Sequence, residues 1–328
     1  MAVDSARAHA GVSEVRLAAI DIGTVTCRLL VADVRQGQVA PVAREYEVTN
    51  LGEGVDASGV ISAAALARVE AAVRRFIQVR DAHSSAAHPV EKTVVMSTSA
   101  ARDARNADEF AAMIASCGLE LQVISGQREA ELTFAGAAMA ARPGAPVAVV
   151  DVGGGSTEVS FGVAGAGISA ARSFDVGCRR MTERFFRHDP PLPEEVEAAR
   201  AWACEQFAAW CPGASAERQP RELIAVAGTA TSAIAMEKEL AVYDPTQVHG
   251  ACLSLSRLEA LFARLAAMTE AQRERVTGLD PRRAPVITAG LLILICAMRT
   301  FGFSAFTASE SDILQGMLSW AATGPARS

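Results

Sequence analysis

The chain has 328 residues, half of them hydrophobic and 21% charged, which is length for two ordinary domains and ample material for their cores. Its net charge of −6 argues against bulk binding to nucleic acid or to a membrane surface, both of which need a basic field. The best apolar run, Val286 to Met298, is too short for a membrane helix, and the first residues carry Asp4, Glu14 and two arginines where a secretory signal would be apolar.

Seven cysteines without a CxxC pair, and five histidines without ligand spacing, leave no zinc or thioredoxin-type pattern. A reducing cytoplasm is the expected compartment. Residues 1–15 read as a mobile tail. VRLAAID, CRLLVADV and VAPVAREYEV then read as strand, turn, strand, turn, strand. Leu66, Val69, Val73, Phe76 and Ile77 recur at helical spacing behind a cap at Ser62. TVVM (93–96) predicts a strand, Asp103 to Ser116 a helix, and LELQVI (119–124) another strand. Ser125-Gly126 opens a helix that carries Glu129 in its first turn or so.

PVAVVD, STEVSFGV and ISAARSFDV then repeat the opening plan. Each copy has an apolar strand tipped by an aspartate, Asp21 or Asp151, followed by a turn of glycine and hydroxyls. The aspartates lie 130 residues apart, so the repeat is domain-sized and predicts a duplicated α/β unit around a cleft. Beyond it come a helix from Pro193 to Trp210, a loop at 211–215, a strand near Leu223 to Val226, and mainly helix. A domain boundary is expected near 132–145.

The chemistry concentrates in a few stretches. In DIGTVT (21–26), Gly23, Thr24 and Thr26 follow the aspartate, and such a turn offers backbone N–H groups and hydroxyls to phosphate oxygens. A plain hairpin reads equally well there. DVGGGSTE (151–158) is more informative. Gly153, Gly154 and Gly155 clear every side chain from one turn and permit positive φ, so backbone can approach a ligand, with Ser156 and Thr157 beside it. Lysine is absent and a strand follows, so this is not a Walker loop. Asp151 and Glu158 flank the turn and suit Mg²⁺, which takes a few carboxylates plus phosphate oxygens. A carboxylate such as Glu129 can orient water for phosphoanhydride hydrolysis, although acids are common in first helical turns. Arg102 and Arg105, and the group Arg179, Arg180, Arg184 and Arg187, supply guanidinium forks suited to phosphates. VAGTATS (226–232) turns a strand into a helix, either as a phosphate-facing start or as a plain one.

In order along the chain, AAIDIGTVTCRLLVADV, LGEGVDASG, STSAARDARNADEF, VISGQREAE, VVDVGGGSTEV, VAGTATSAIAM and GLDPRRAPVITAG resemble the exopolyphosphatase/guanosine pentaphosphate phosphatase (Ppx/GppA) family of the actin-like ATPase superfamily. The resemblance spans nearly the whole chain, in its short two-domain form. It implies two actin-like (ribonuclease H-like) domains around a central cleft: 16–133, joined by a C-terminal helix at 312–328, and 134–311. It implies release of terminal orthophosphate from polyphosphate, or alternatively from pppGpp, with Mg²⁺ or Mn²⁺ as cofactor and a homodimer as the assembly. By the same resemblance Glu129 is the catalytic base and Arg102 faces the cleft. Asp151, Glu158 and Asp21 serve the metal, and Gly23, Thr24, Thr26 and residues 153–157 bind phosphate.

The chain departs from the family's patterns at three places. Asn50 stands where arginine precedes LGEG, Glu131 where E-E-A-R carries a cation, and DILQG (312–316) replaces G-L-R-E-G, with Leu314 for arginine. These changes motivate a further alternative, a weakly active binder of polyphosphate or of the alarmones pppGpp and ppGpp. A sugar-kinase or chaperone-like ATPase on the same fold is the remaining class.

Overall fold

The computed structural model describes residues 14–211 and 220–323. The proposed tail therefore lies almost wholly outside the described residues, as does most of the loop at 211–215, and Val15 already belongs to a strand. The first sheet comprises β1 (Val15–Ile22), β2 (Thr26–Arg35), β3 (Gln38–Val48), β4 (Val90–Ser97) and β5 (Leu121–Val123), in the order β3-β2-β1-β4-β5. The second comprises β6 (Pro146–Val152), β7 (Thr157–Val163), β8 (Gly167–Phe174), β9 (Glu222–Val226), β10 (Cys252–Ser254) and β11 (Ala305–Ala308), in the order β10-β11-β9-β6-β7-β8.

Read outward from β1 or β6, the two sheets share one plan. Each central strand pairs antiparallel with the next strand and parallel with a later one. β1 and β6 are buried on both faces, which explains their nearly unbroken apolar runs. The second sheet adds β10 antiparallel to β11. Both short strands went unread in the sequence, because three or four residues show too little alternation.

In the first half, the helices are α1 (Val55–Ser58), α2 (Ala63–Ala82), α3 (Ser99–Asp103), α4 (Ala107–Ser116) and α5 (Gly126–Ala137). The Ser62 hydroxyl accepts from the Ala65 N–H at 3.1 Å and starts α2 as expected. The helix predicted from Asp103 to Ser116 begins only at Ala107, as α4: the separate short helix α3 ends at Asp103 and Ala104 turns extended between them. In the second half come α6 (Cys178–Phe185), α7 (Pro193–Ala208), α8 (Ala227–Glu237), α9 (Pro245–Val248), α10 (Leu255–Ala266), α11 (Glu270–Arg273), α12 (Ile287–Phe301) and α13 (Ile313–Thr323). The apolar run near Val286 is α12, buried in the larger core. Among the described residues no helix is long and apolar enough to cross a membrane.

Two helices join the halves. α5 leaves the first sheet yet packs on β6, β7 and β8, while α13 leaves the second sheet and packs on β1, β2 and β3. Phe134 and Ala137 of α5 thus enter the second half's core, and Ile313, Leu314, Met317 and Leu318 of α13 enter the first's. The two helices also pack on each other, backbone against backbone. A Cβ at Gly316 would lie 2.7 Å from the Leu132 carbonyl carbon, and one at Gly136 would lie 2.7 Å from that of Asp312.

Gly316→Ala should therefore destabilise the protein by about 2 kcal/mol despite alanine's better helix propensity, because backbone cannot yield as a side chain does. Denaturant unfolding followed by circular dichroism checks this; an unchanged midpoint would show that the crossing is loose.

Candidate active site

The two central strands end in matching ways. Asp21 faces Arg28 across the β1–β2 ladder, and Asp151 faces Glu158 across β6–β7. The turns match too: the Gly23 N–H donates to the Thr26 carbonyl at 2.9 Å, and the Gly153 N–H to the Ser156 carbonyl at 3.0 Å. The partners differ in sign. Arg28 donates from Nη2 to Asp21 Oδ2 at 2.6 Å, and from Nη1 to Asp312. Burial pushes the Asp21 carboxyl up and Arg28 opposes the rise.

The three glycines act differently from the sequence expectation. None of Gly153, Gly154 and Gly155 has positive φ. Gly154 and Gly155 are small because the first turn and Ser99 lie on them. A Cβ at Gly154 would sit 2.6 Å from Val25 Cγ2 and 2.8 Å from Thr24 Cβ, and one at Gly155 would sit 3.0 Å from Ser99 Cβ. Side chains there would wedge the halves apart.

Glu129 stands in the first turn of α5, whose start is capped by the Ser125 hydroxyl accepting from the Arg128 N–H at 3.2 Å. It is 8% exposed and accepts from Arg102 Nη1 at 3.0 Å. The same Arg102 nitrogen donates to the Ile124 carbonyl at 2.8 Å, which fixes the guanidinium. Glu158 is deeper and accepts from the Ser173 hydroxyl at 2.6 Å. Burial, then the charge of Glu158, holds both the Glu129 and Asp151 carboxyls well above the ordinary range, against the pull of Arg102 and Arg28. Burial raises Glu158 to about 7, with Ser173 and Ser156 opposing. This half of the site is short of positive charge.

Asp21, Glu129 and Asp151 line one cavity of about 60 Å³ together with Gly23, Thr24, Thr26, Gly153, Gly154, Gly155 and Ser156. Arg102 and Glu158 stand behind its wall. Thr157 turns away, its hydroxyl donating to the Val176 carbonyl within the core. Arg28, Ala227, Gly228 and Arg283 border both this cavity and a second one of about 580 Å³. VAGTATS thus meets the cleft at the start of α8, where Ala227 has a left-handed φ of 62°.

Other expectations fare differently. Arg180 pairs with Asp56 and Asp103, and its Nε donates to the Gly155 carbonyl at 2.9 Å; Arg179 donates to Asn50 Oδ1 at 2.5 Å. Arg184 stacks 5.0 Å from the Trp202 ring centre and Arg187 is exposed, so the four arginines form no groove. Glu131 pairs with Arg128 at the surface and does not face the cavity, whereas Leu314 lines the larger one. Sequence reasoning missed Arg28, Arg283 and Asp312. The signal for Arg28 was present: it stands seven residues after Asp21, as Glu158 does after Asp151.

Among the described residues no three acidic, histidine or cysteine side chains are gathered into a ready metal cage, and Asp21 is already engaged by Arg28. The charge-poor pair Asp151 and Glu158 still fits Mg²⁺, which is held by one or two carboxylates with substrate phosphates and water completing its shell.

The profile of the Ppx/GppA phosphatase family matches residues 30–321. Exopolyphosphatase 2 of Mycobacterium tuberculosis is 36% identical over 317 residues, 92% of this chain and 97% of that protein. The crystal structure of an exopolyphosphatase-like protein is similar with a TM-score of 0.84 and 33% identity, covering 93% of this chain and 97% of that one. The Aquifex aeolicus Ppx/GppA crystal structure follows with a TM-score of 0.76 and 27% identity, covering 94% of this chain and 97% of that one.

A buried acid with a raised pKa favours the fold while protonated. The Glu158 contribution is therefore complete below 4.5 and is lost as pH rises through about 7. Stability of the protein without divalent cations should fall across that window, by on the order of 3 kcal/mol from this group, and Glu158→Gln should flatten the slope. Urea unfolding at a series of pH values measures it; parallel slopes for parent and variant would refute the assignment.

Proposed function

The chain belongs to the Ppx/GppA phosphatase family, and on that premise we propose that it is an exopolyphosphatase that releases terminal orthophosphate from inorganic polyphosphate, with Glu129 as general base. The observation that carries this reading is that Glu129, anchored by Arg102, lines the same small cavity as both glycine turns. The terminal phosphate enters that cavity, where backbone N–H groups and the hydroxyls of Thr24, Thr26 and Ser156 receive its oxygens. Glu129 takes a proton from water as the new P–O bond forms in line with the breaking bridge bond, whose electron pair leaves with the shortened chain. Positioning and charge supply most of the acceleration, since the loose transition state asks for little covalent help. Asp151, with Glu158 behind it, would hold Mg²⁺ or Mn²⁺, which supplies positive charge to the phosphate oxygens. Arg283 borders both cavities; its Nε donates to the Tyr46 hydroxyl at 2.9 Å, which leaves the two Nη groups for a phosphate.

We take residues 16–133 with the C-terminal helix as one domain and 134–311 as the other; the packing of α13 on the first sheet supports this. A second reading, pppGpp phosphatase, draws support from the larger cavity, where the exposed Tyr243 ring can receive a base, whereas Arg282 and Arg283 already stack on Tyr46. Phosphate release from competing polyphosphate and pppGpp ranks the two.

Glu129→Gln should lower kcat for phosphate release about 10²–10⁴-fold while leaving the fold intact by circular dichroism; undiminished release would remove Glu129 from the mechanism. Arg102→Ala should shift the acid limb of the kcat–pH profile upward, because Arg102 opposes the rise in the Glu129 pKa. A profile that loses height without moving would limit Arg102 to binding.

A further inference from the structure

The larger cavity does not look like a polyanion channel. Arg28, Arg44, Arg282 and Arg283 reach it, but so do Glu45, Asp280, Glu310 and Asp312. Arg282 is tied to Asp280 at 2.9 Å and Arg44 approaches Glu310 at 3.9 Å. Arg28 is the critical one, since it borders both cavities and a phosphate chain that leaves the small cavity through the larger one passes it. Its Nε and Nη2 are spent on Asp21, and Asp312 takes Nη1 from the side of the larger cavity. Both carboxylates are buried, so solvent screens neither contact much.

Asp312 has an architectural duty as well. It precedes α13, its Oδ1 accepts from the Leu314 N–H at 3.0 Å, and its own N–H donates to Gln315 Oε1 at 2.9 Å. Asparagine can keep that cap, and glycine is a tolerable cap, while both discard the charge. The cap therefore does not require the carboxylate that faces Arg28.

We propose that Asp312 is a specificity-determining residue that neutralises Arg28 on the exit side of the terminal-phosphate cavity and so weakens the grip on phosphates behind the first, favouring short chains over long ones. This rests on the exopolyphosphatase reading and names the chain-length class that the site takes. Leu314 on the same wall acts in the same direction, since it offers the passing anion no donor.

The test is binding without turnover. In a Glu129→Gln background, titration calorimetry with tripolyphosphate and with long-chain polyphosphate gives the ratio of the two Kd values, at low and at high salt. Adding Asp312→Asn, or separately Asp312→Gly, should tighten the long chain relative to tripolyphosphate by about three- to tenfold, the worth of one partly buried charge contact, and high salt should shrink the gain. Thermal melts confirm that both variants are folded. An unmoved ratio, equal gains for both ligands, or weaker long-chain binding overturns the role of Asp312 while leaving the exopolyphosphatase reading standing. If the Glu129→Gln protein binds neither ligand in the presence of Mg²⁺, that reading falls and the inference falls with it.

Discussion

The closeness of two turns governs this molecule. Thr24 and Val25 of one half rest on Gly154 and Gly155 of the other, with no space for a β-carbon between them. That contact brings two aspartate-tipped strands to one point and, with α5, puts Glu129 beside them. The consequence is electrostatic. Carboxylates that would be ionised and harmless at the surface are gathered where water is scarce, and burial makes each resist its charge. The arrangement persists because the surrounding cores are large, and it is relieved by protonation or by positive charge from the protein or from a ligand complex.

The halves solve that problem in opposite ways. At equivalent positions seven residues after the aspartate, one half has an arginine and the other a glutamate. The first turn is thereby nearly neutral by itself, with Asp21 and Arg28 closing on each other. The second keeps an unbalanced pair of acids. A duplicated scaffold has become directional: one side is a settled wall, the other a pair of acids with no paired cation of its own among the described residues. This asymmetry is visible in the two ladders and would be invisible in fold topology alone.

Much of this was legible in the sequence. Central strands buried on both faces announce themselves as VRLAAIDI and PVAVVDV, the cap residues Ser62 and Ser125 stand where helices begin, and the repeat of acid, glycine and hydroxyl marks the site. Order along the chain also identified the family. The illegible parts depend on distance in space. Three glycines imply close approach, but not that the visitor is another turn of the same chain. Arg28 and Asp312 are 284 residues apart, and no local pattern couples them. The late start of α4 was hidden because DARNADEF has helical composition throughout, with Asn106 bonded instead to the backbone of Ile61 on both its polar atoms. Glu131 shows the converse error: a charge change in a motif was read as a change in the cavity, although helical geometry points that side chain outward.

The exchange of α5 and α13 between the halves has a mechanical meaning. Their meeting point is the place where Gly136 and Gly316 leave backbone on backbone, beside Leu132 of α5 packed among Ile313, Leu314, Met317 and Leu318 of α13. Glu129 stands on one of these helices and Asp312 at the head of the other, so each half holds its contribution to the cleft in place through packing that the opposite half supplies.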